Sequence, residues 1–210
     1  MTAFVDKLLE TVLAEWAFFG HSTRSIDNVW NVVGEESRDP FRLRVRDYWA
    51  AVGQPTWDGT TEQPWSGAFI SWCFKTAGAG DSFRGDATHS VYIDRIRRAQ
   101  SPVAKLQLRD PAKAAVAPGD LIWNSRRTRD RSDVPGSFDA AVAQLAAEDF
   151  FPSHVDIVVA VGNGRCDSVG GNVSNREPGS SVTRSTWHLD PAGKIADPRK
   201  SWIGVVKNGL

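Results

Sequence analysis

Acyl-group chemistry needs a nucleophile, a base within hydrogen-bond reach of it, and a third group that holds the base in one orientation. Few side chains here suit those jobs: two cysteines, four histidines, and serines and carboxylates scattered between them. Cys73 stands mid-way along an apolar stretch, flanked by Trp72 and Phe74. Burial there raises a thiol pKa, and a helix-end dipole does not reach it. Cys166 falls inside a β-rich run, away from any helix end, so both thiols read as structural. Ser66 opens the strongest helix of the chain, residues 64–77 (PWSGAFISWCFKTA). That position suits an attacking hydroxyl or an ordinary first-turn cap.

His154 is the best candidate base. It stands at the mouth of a strand, residues 155–161 (VDIVVAV), and Asp156, two residues on, shares its strand face. Gly162-Asn163-Gly164 reads as a hairpin turn. With a three-residue turn, Val161 pairs with Arg165 and His154 lies opposite Asn172, both side chains on one face. Asn172 would then fix the tautomer and ring orientation of the imidazole. A two-residue turn sends Asn172 to the other face. Asp156 is the second candidate for orienting His154 or binding a cation or substrate amine, and it reads equally as a solvated strand carboxylate. Asp120 reads as a turn residue. Nothing fixes a third or fourth metal ligand, so neither metal nor cofactor is expected.

The elements that must position these residues are legible in outline. Residues 3–19 carry Phe4, Leu8, Val12 and Trp16 at helical spacing before Gly20. A second helix is expected over residues 41–52 and a more exposed one over 88–100. Pro64 fits a first-turn position in the central helix, and Gly78 fits its stop. After Pro118 the pattern turns to strands: 120–123, 155–161, 165–170 and 202–206. Residues 126–150, first charged and then Ala-rich, read as an insertion with a helix of its own. Helices first and an antiparallel sheet afterwards is the α+β order. The expectation is one domain over 1–210, with a helical part (1–63) and a core (64–210).

Composition narrows the function. The 210 residues carry 25 Lys+Arg against 25 Asp+Glu, a formal net charge of zero, which argues against a nucleic-acid partner held by bulk charge. No run approaches the ~18 apolar residues of a membrane span, so membrane insertion is not expected. The opening MTAFVDKLLETVLAEW carries Asp6 and Glu10 where a signal peptide would be basic and then apolar. Synthesis in the cytoplasm without a standard export signal is therefore expected.

Four blocks in order, Pro64-Trp65-Ser66-Gly67-Ala68-Phe69, Pro118-Gly119-Asp120-Leu121, Ser153-His154-Val155-Asp156-Ile157-Val158 and Gly170-Gly171-Asn172, resemble the papain-like cell-wall hydrolases of the CHAP and NlpC types. The resemblance covers residues 64–175. It is closest to the bacterial domain-of-unknown-function family 2272, in which Ser also follows the Pro-Trp pair. It implies a papain-like fold, a central helix bearing the nucleophile, and hydrolysis of amide bonds in peptidoglycan. Ser66 stands where those hydrolases carry cysteine, with His154 as base and Asn172 or Asp156 holding the imidazole. Three readings of Ser66 stay open: a true nucleophile, a cysteine-to-serine change that traps the protein, and a site that binds without hydrolysing. A cytosolic esterase or acyl-transfer enzyme is a further reading. Trp57, Trp65, His89 and Arg126 are candidate substrate contacts, Arg126 as a clamp for carboxylates of a muropeptide, although Trp65 also suits a core-facing position. A hydrolase of this kind would be a phage lysin or a secreted effector, the latter with a cognate immunity protein.

Overall fold

The computed structural model describes residues 2–174 and 179–210, so the matched stretch 64–175 ends one residue outside the described residues. It is α+β, with five helices and one eight-stranded mixed sheet. The helices are α1 (Ala3–Phe18), α2 (Phe41–Ala51), α3 (Ser66–Thr76), α4 (His89–Arg98) and α5 (Phe138–Ala146). The strands are β1 (Ser22–Arg24), β2 (Trp30–Asn31), β3 (Leu106–Arg109), β4 (Leu121–Ser125), β5 (Ser153–Gly162), β6 (Arg165–Ser174), β7 (Ser180–His188) and β8 (Trp202–Asn208). Their order across the sheet is β2-β1-β7-β6-β5-β4-β8-β3. Every neighbouring pair is antiparallel except β1 and β7, which run parallel. The small antiparallel sheet expected from sequence is thus a larger mixed one, because β1, β2, β3 and β7 extend it.

Period-two alternation builds the two faces of this sheet. Leu121 and Trp123 of β4, with Val155 and Ile157 of β5, enter the main core beside Leu8, Val12, Phe69 and Ile70 of the helices. The intervening Ile122 and Val158 join Cys166, Trp187 and Val205 in a second, smaller core on the other face. Local signals set the helix starts. Thr2 caps α1 by accepting from the Val5 amide at 3.2 Å, and Ser137 caps α5 by accepting from Ala140 at 3.3 Å. The central helix begins at Ser66, two residues later than the Pro64 signal predicts, and its N-cap Trp65 supplies no side-chain acceptor. The 126–150 insertion has no regular structure until α5.

The hairpin between β5 and β6 turns on two residues, not three: Gly162 pairs with Arg165, and Asn163 and Gly164 both have positive φ (53° and 70°). That is the requirement of a type I′ turn. A bulge between Val158 and Ala160 then shifts the register, so Val158 faces Ser168 and Ile157 faces Val169. The bulge restores, at the far end of the hairpin, the register that a three-residue turn would have produced.

Helix α3 lies directly on β6. A Cβ on Gly171 would stand 2.6 Å from Phe69 Cβ and 2.6 Å from Trp65 Cζ3, closer than carbon atoms can approach. Gly171→Ala is therefore expected to lower stability by about 1–3 kcal/mol, the cost of overpacking a filled core. Denaturant midpoints at constant m-value check it, and an unchanged midpoint would refute the contact.

Candidate active site

Ser66 is buried at the start of α3, and its Oγ lies between two imidazoles: 3.0 Å from His154 Nδ1 and 2.9 Å from His89 Nε2. His154, one residue inside β5, turns its other nitrogen to Asp156, with Nε2 to Oδ1 at 2.8 Å. Asp156 in turn accepts from Ser168 Oγ at 2.8 Å, and Ser168 Oγ accepts from Trp187 Nε1 at 2.7 Å. On the far side of Ser66, His89 Nδ1 meets Tyr92 Oη at 2.5 Å, one turn further along α4.

Donor counting orients this chain. Buried Tyr92, its hydroxyl pushed well up by burial and then by the Asp156 and Asp86 charges, keeps its proton. His89 Nδ1 is its partner, so Tyr92 donates there and His89 carries its proton on Nε2, aimed at Ser66 Oγ. Asp156 accepts only when ionised, so His154 carries its proton on Nε2 and faces Ser66 with the lone pair of Nδ1. The single Ser66 proton therefore points at His154. Burial alone would raise the Asp156 carboxyl. The neighbouring His154 imidazole and the hydrogen bonds from His154 and Ser168 more than offset it and hold the group below the usual carboxylate value. Burial, followed by the neighbouring His154 and the Arg126 charge, holds His89 well below the usual imidazole value, so it is neutral at pH 7.

Glycines make room for this arrangement. A Cβ on Gly170 would lie 1.9 Å from Asp156 Oδ1 and 3.0 Å from His154 Nε2, inside the hydrogen bond that orients the His154 ring. On Gly67 a Cβ would meet the Ala87 carbonyl oxygen at 2.0 Å, so the first turn of α3 sits against the segment leading into α4. The turn has no side-chain cap, so the amides of Ser66, Gly67 and Ala68 have no helical i−4 partner, and Ser66 and Gly67 line the cavity in front of it.

The cavity measures about 520 Å³ and is walled by Trp49, Trp57, Pro64, Phe150 and Phe151, with Arg126 at its edge. Of the residues singled out from sequence, Ser66, His154 and Asp156 come together, and Trp57, His89 and Arg126 line the space in front of them. Asn172 does not take the orienting role. A bulge between Gly170 and Val173 shifts the β6–β7 register, Asn172 adopts φ 57°, and its Nδ2 donates to Glu36 Oε2 at 3.1 Å. Trp65 is not a cavity residue either: its ring is buried against Phe19 and Tyr48, and its Nε1 donates to the same Glu36 carboxylate.

Sequence reasoning missed Glu36, Tyr92, Ser168 and Gly170. Only Gly170 left a trace, in the Gly-Gly-Asn block. Asp120 is structural, accepting from the amides of Ala117 and Asn208 and pairing with Lys207. Cys73 is fully buried with its thiol pushed well up by burial and then by Glu15, and burial pushes Cys166 up to about 12. Among the described residues no cluster of three or more His, Cys, Asp or Glu has metal-site geometry, and no helix is long and apolar enough to cross a membrane.

Two outcomes follow from this geometry. Gly170→Ala is expected to cost about 10²-fold in the rate of whatever reaction Ser66 carries out, by displacing the His154–Asp156 pair; a well-folded variant of undiminished rate would refute the crowding. The buried, neutral His89 makes stability pH-dependent. Below the ordinary imidazole value of 6.5 the unfolded chain takes up a proton that the folded chain refuses, so stability falls with pH through that window. The slope is expected to reach up to about 1.4 kcal/mol per pH unit and to flatten in His89→Gln, as read from denaturant titrations between pH 7 and 5.

No curated protein and no solved structure matches the chain. The profile of a bacterial family described as "Uncharacterized protein conserved in bacteria (DUF2272)" matches residues 12–208, nearly the whole length and every residue of the Ser66–His154–Asp156 chain. The protein therefore belongs to the DUF2272 family.

Proposed function

We propose that this protein is an acyl hydrolase with a serine nucleophile, acting on amide bonds of bacterial cell-wall peptides. The observation that carries the reading is the chain of contacts from Ser66 Oγ to His154 Nδ1 and from His154 Nε2 to Asp156 Oδ1, in which a buried carboxylate fixes the ring and donor counting aims the Ser66 proton at it. In the reaction, Oγ bonds to the substrate carbonyl carbon as its proton passes to His154 Nδ1. The charge that forms on the carbonyl oxygen is met by first-turn amides of α3. His154 then gives the proton to the leaving nitrogen, the C–N bond breaks, and an acyl-Ser66 ester remains. Water, deprotonated by His154 Nδ1, then attacks the ester carbonyl, and His154 returns the proton to Ser66 Oγ as the acyl–oxygen bond breaks and the acid leaves.

Asp156 stabilises the imidazolium formed in each half-reaction and fixes the ring tautomer. His89 holds Oγ from the other side, so that Ser66 has one productive rotamer. A serine here makes chemical sense because the base is already aligned to take its proton during attack. The choice of cell-wall amides as substrate rests on the sequence resemblance of the blocks around Ser66, Pro118, His154 and Gly170. The apolar cavity with Trp57 and Arg126 suits a substrate that has both apolar and carboxylate groups.

Digestion of bacterial sacculi tests this reading. The expected result is release of new amino termini, falling at least ~10³-fold in both Ser66→Ala and His154→Ala. Ser66→Cys is expected to retain or gain activity. Release that survives Ser66→Ala overturns the serine mechanism. Turnover of simple p-nitrophenyl esters with none on sacculi replaces the substrate class by esters. Affinity for sacculi with no turnover in either form makes the protein a binding module.

A further inference from the structure

Another cavity, of about 310 Å³, is lined by His154 and Asp156 but not by Ser66. Its lining includes three cations, Arg24, Arg126 and Lys200, against one carboxylate, Asp156, which His154 and Ser168 already engage. Among the described residues none of the three cations forms a salt bridge. Arg24 is only 8% exposed, and its guanidinium lies 5.0 Å from the Trp30 ring centroid and 4.9 Å from that of Trp187. Its Nε donates to Asn28 at 2.8 Å, and both terminal nitrogens are left without an acceptor among the described residues.

The wall holds a second unmet group. Ser185 lines the cavity, and its buried hydroxyl has no hydrogen-bond partner among the described residues. A buried polar atom left unpaired is costly and calls for a ligand or water. Lys200 reports the same imbalance: burial, then the nearby Arg24 charge, lowers its pKa, and Arg126 and Arg199 add to that effect against the opposing pull of Asp156.

We infer that this cavity is a carboxylate-binding subsite, in which the planar fork of Arg24 grips the anion and Lys200, Arg126 and the Ser185 hydroxyl complete its coordination. Arg126 borders both cavities, and Ser66 and His154, 3.0 Å apart, each line one of them. A substrate held across that pair places an apolar arm on the Trp57 side and a free carboxylate on the Arg24 side. The inference rests on the hydrolase reading for its choice of substrate: a peptide amide with a carboxylate close to the scissile bond. The subsite itself is independent of turnover.

Calorimetric titration of the Ser66→Ala protein separates the two. The probes are N-acetyl-dialanine as the free acid, the same peptide as its C-terminal amide, and inorganic phosphate. The acid is expected to bind at least tenfold more tightly than the amide, with a preference that shrinks as salt is raised. Arg24→Gln and Lys200→Gln are each expected to remove most of that preference. Lys200 is only partly buried, so its variant decides the matter if loss of the sandwiched Arg24 unfolds the protein. Equal affinity for acid and amide, binding of neither, or a preference that survives Lys200→Gln overturns the subsite. Tighter binding of phosphate than of the acid overturns the carboxylate assignment. Any of these results leaves sacculus digestion by Ser66 to stand or fall separately.

Discussion

The close seating of the α3 start against β5 and β6 is the constraint on which everything else hangs. Three glycines permit it. Gly171 lets Phe69 and Trp65 reach the strand, Gly170 leaves space for the Asp156 carboxylate, and Gly67 lets the helix approach the Ala87 carbonyl. A methyl group at Gly171 would lift α3 off β6, one at Gly170 would enter the Asp156–His154 hydrogen bond, and one at Gly67 would push the helix start off the segment leading into α4. The uncapped helix end follows from the same crowding: Trp65, the N-cap residue, is committed to the aromatic core and to Glu36, so the first-turn amides remain open. Glu36 in turn ties together α3, β6 and β7, accepting from Trp65, Asn172 and the Ser180 amide.

Around that junction the electrostatics divide by side. Tyr92, His89, Ser66, His154 and Asp156 form a line of donors and acceptors in which each proton has one place to go. The line is neutral at the His89 end, where burial suppresses charge, and anionic at Asp156. Cations gather beyond the anionic end, and apolar rings on the Ser66 side. This polarity favours proton movement from Ser66 toward Asp156, because the imidazolium that results lies next to the carboxylate.

The parts of the site that share one strand or one helix end were readable from sequence. Ser66 stood out by its place at a strong helix start, and His154 and Asp156 by two-residue spacing in an apolar strand. Asn172 was misplaced because strand arithmetic assumes an unbroken ladder, and β6 carries a bulge next to it. His89 was seen as a cleft residue, but not as a partner of Ser66, since α4 meets α3 only through tertiary packing. The sheet was half legible for a related reason. In β7 the buried positions include Ser181, Thr183 and Ser185, so its inward face carries no apolar alternation to read. Strands β1 and β2 are too short, at three and two residues, to show any period. Arg24 sits on one of them and was invisible for that reason.

The parallel pairing of β1 with β7 also governs the order of assembly. Ser22 pairs with Thr183, and Arg24 with Ser185, across most of the length of the chain. Such a contact pays a large loop-closure entropy and forms late. On a ribosome, the helical part can collapse while β7 is still unsynthesised, and Arg24 then has no Trp187 to stack on. Ser66, His154 and Asp156 lie within residues 66–156, but the cationic wall beyond them is completed only when the two distant strands meet. Nascent protein therefore passes through a stage in which Ser66 and His154 can meet before the surface beside them acquires its full charge.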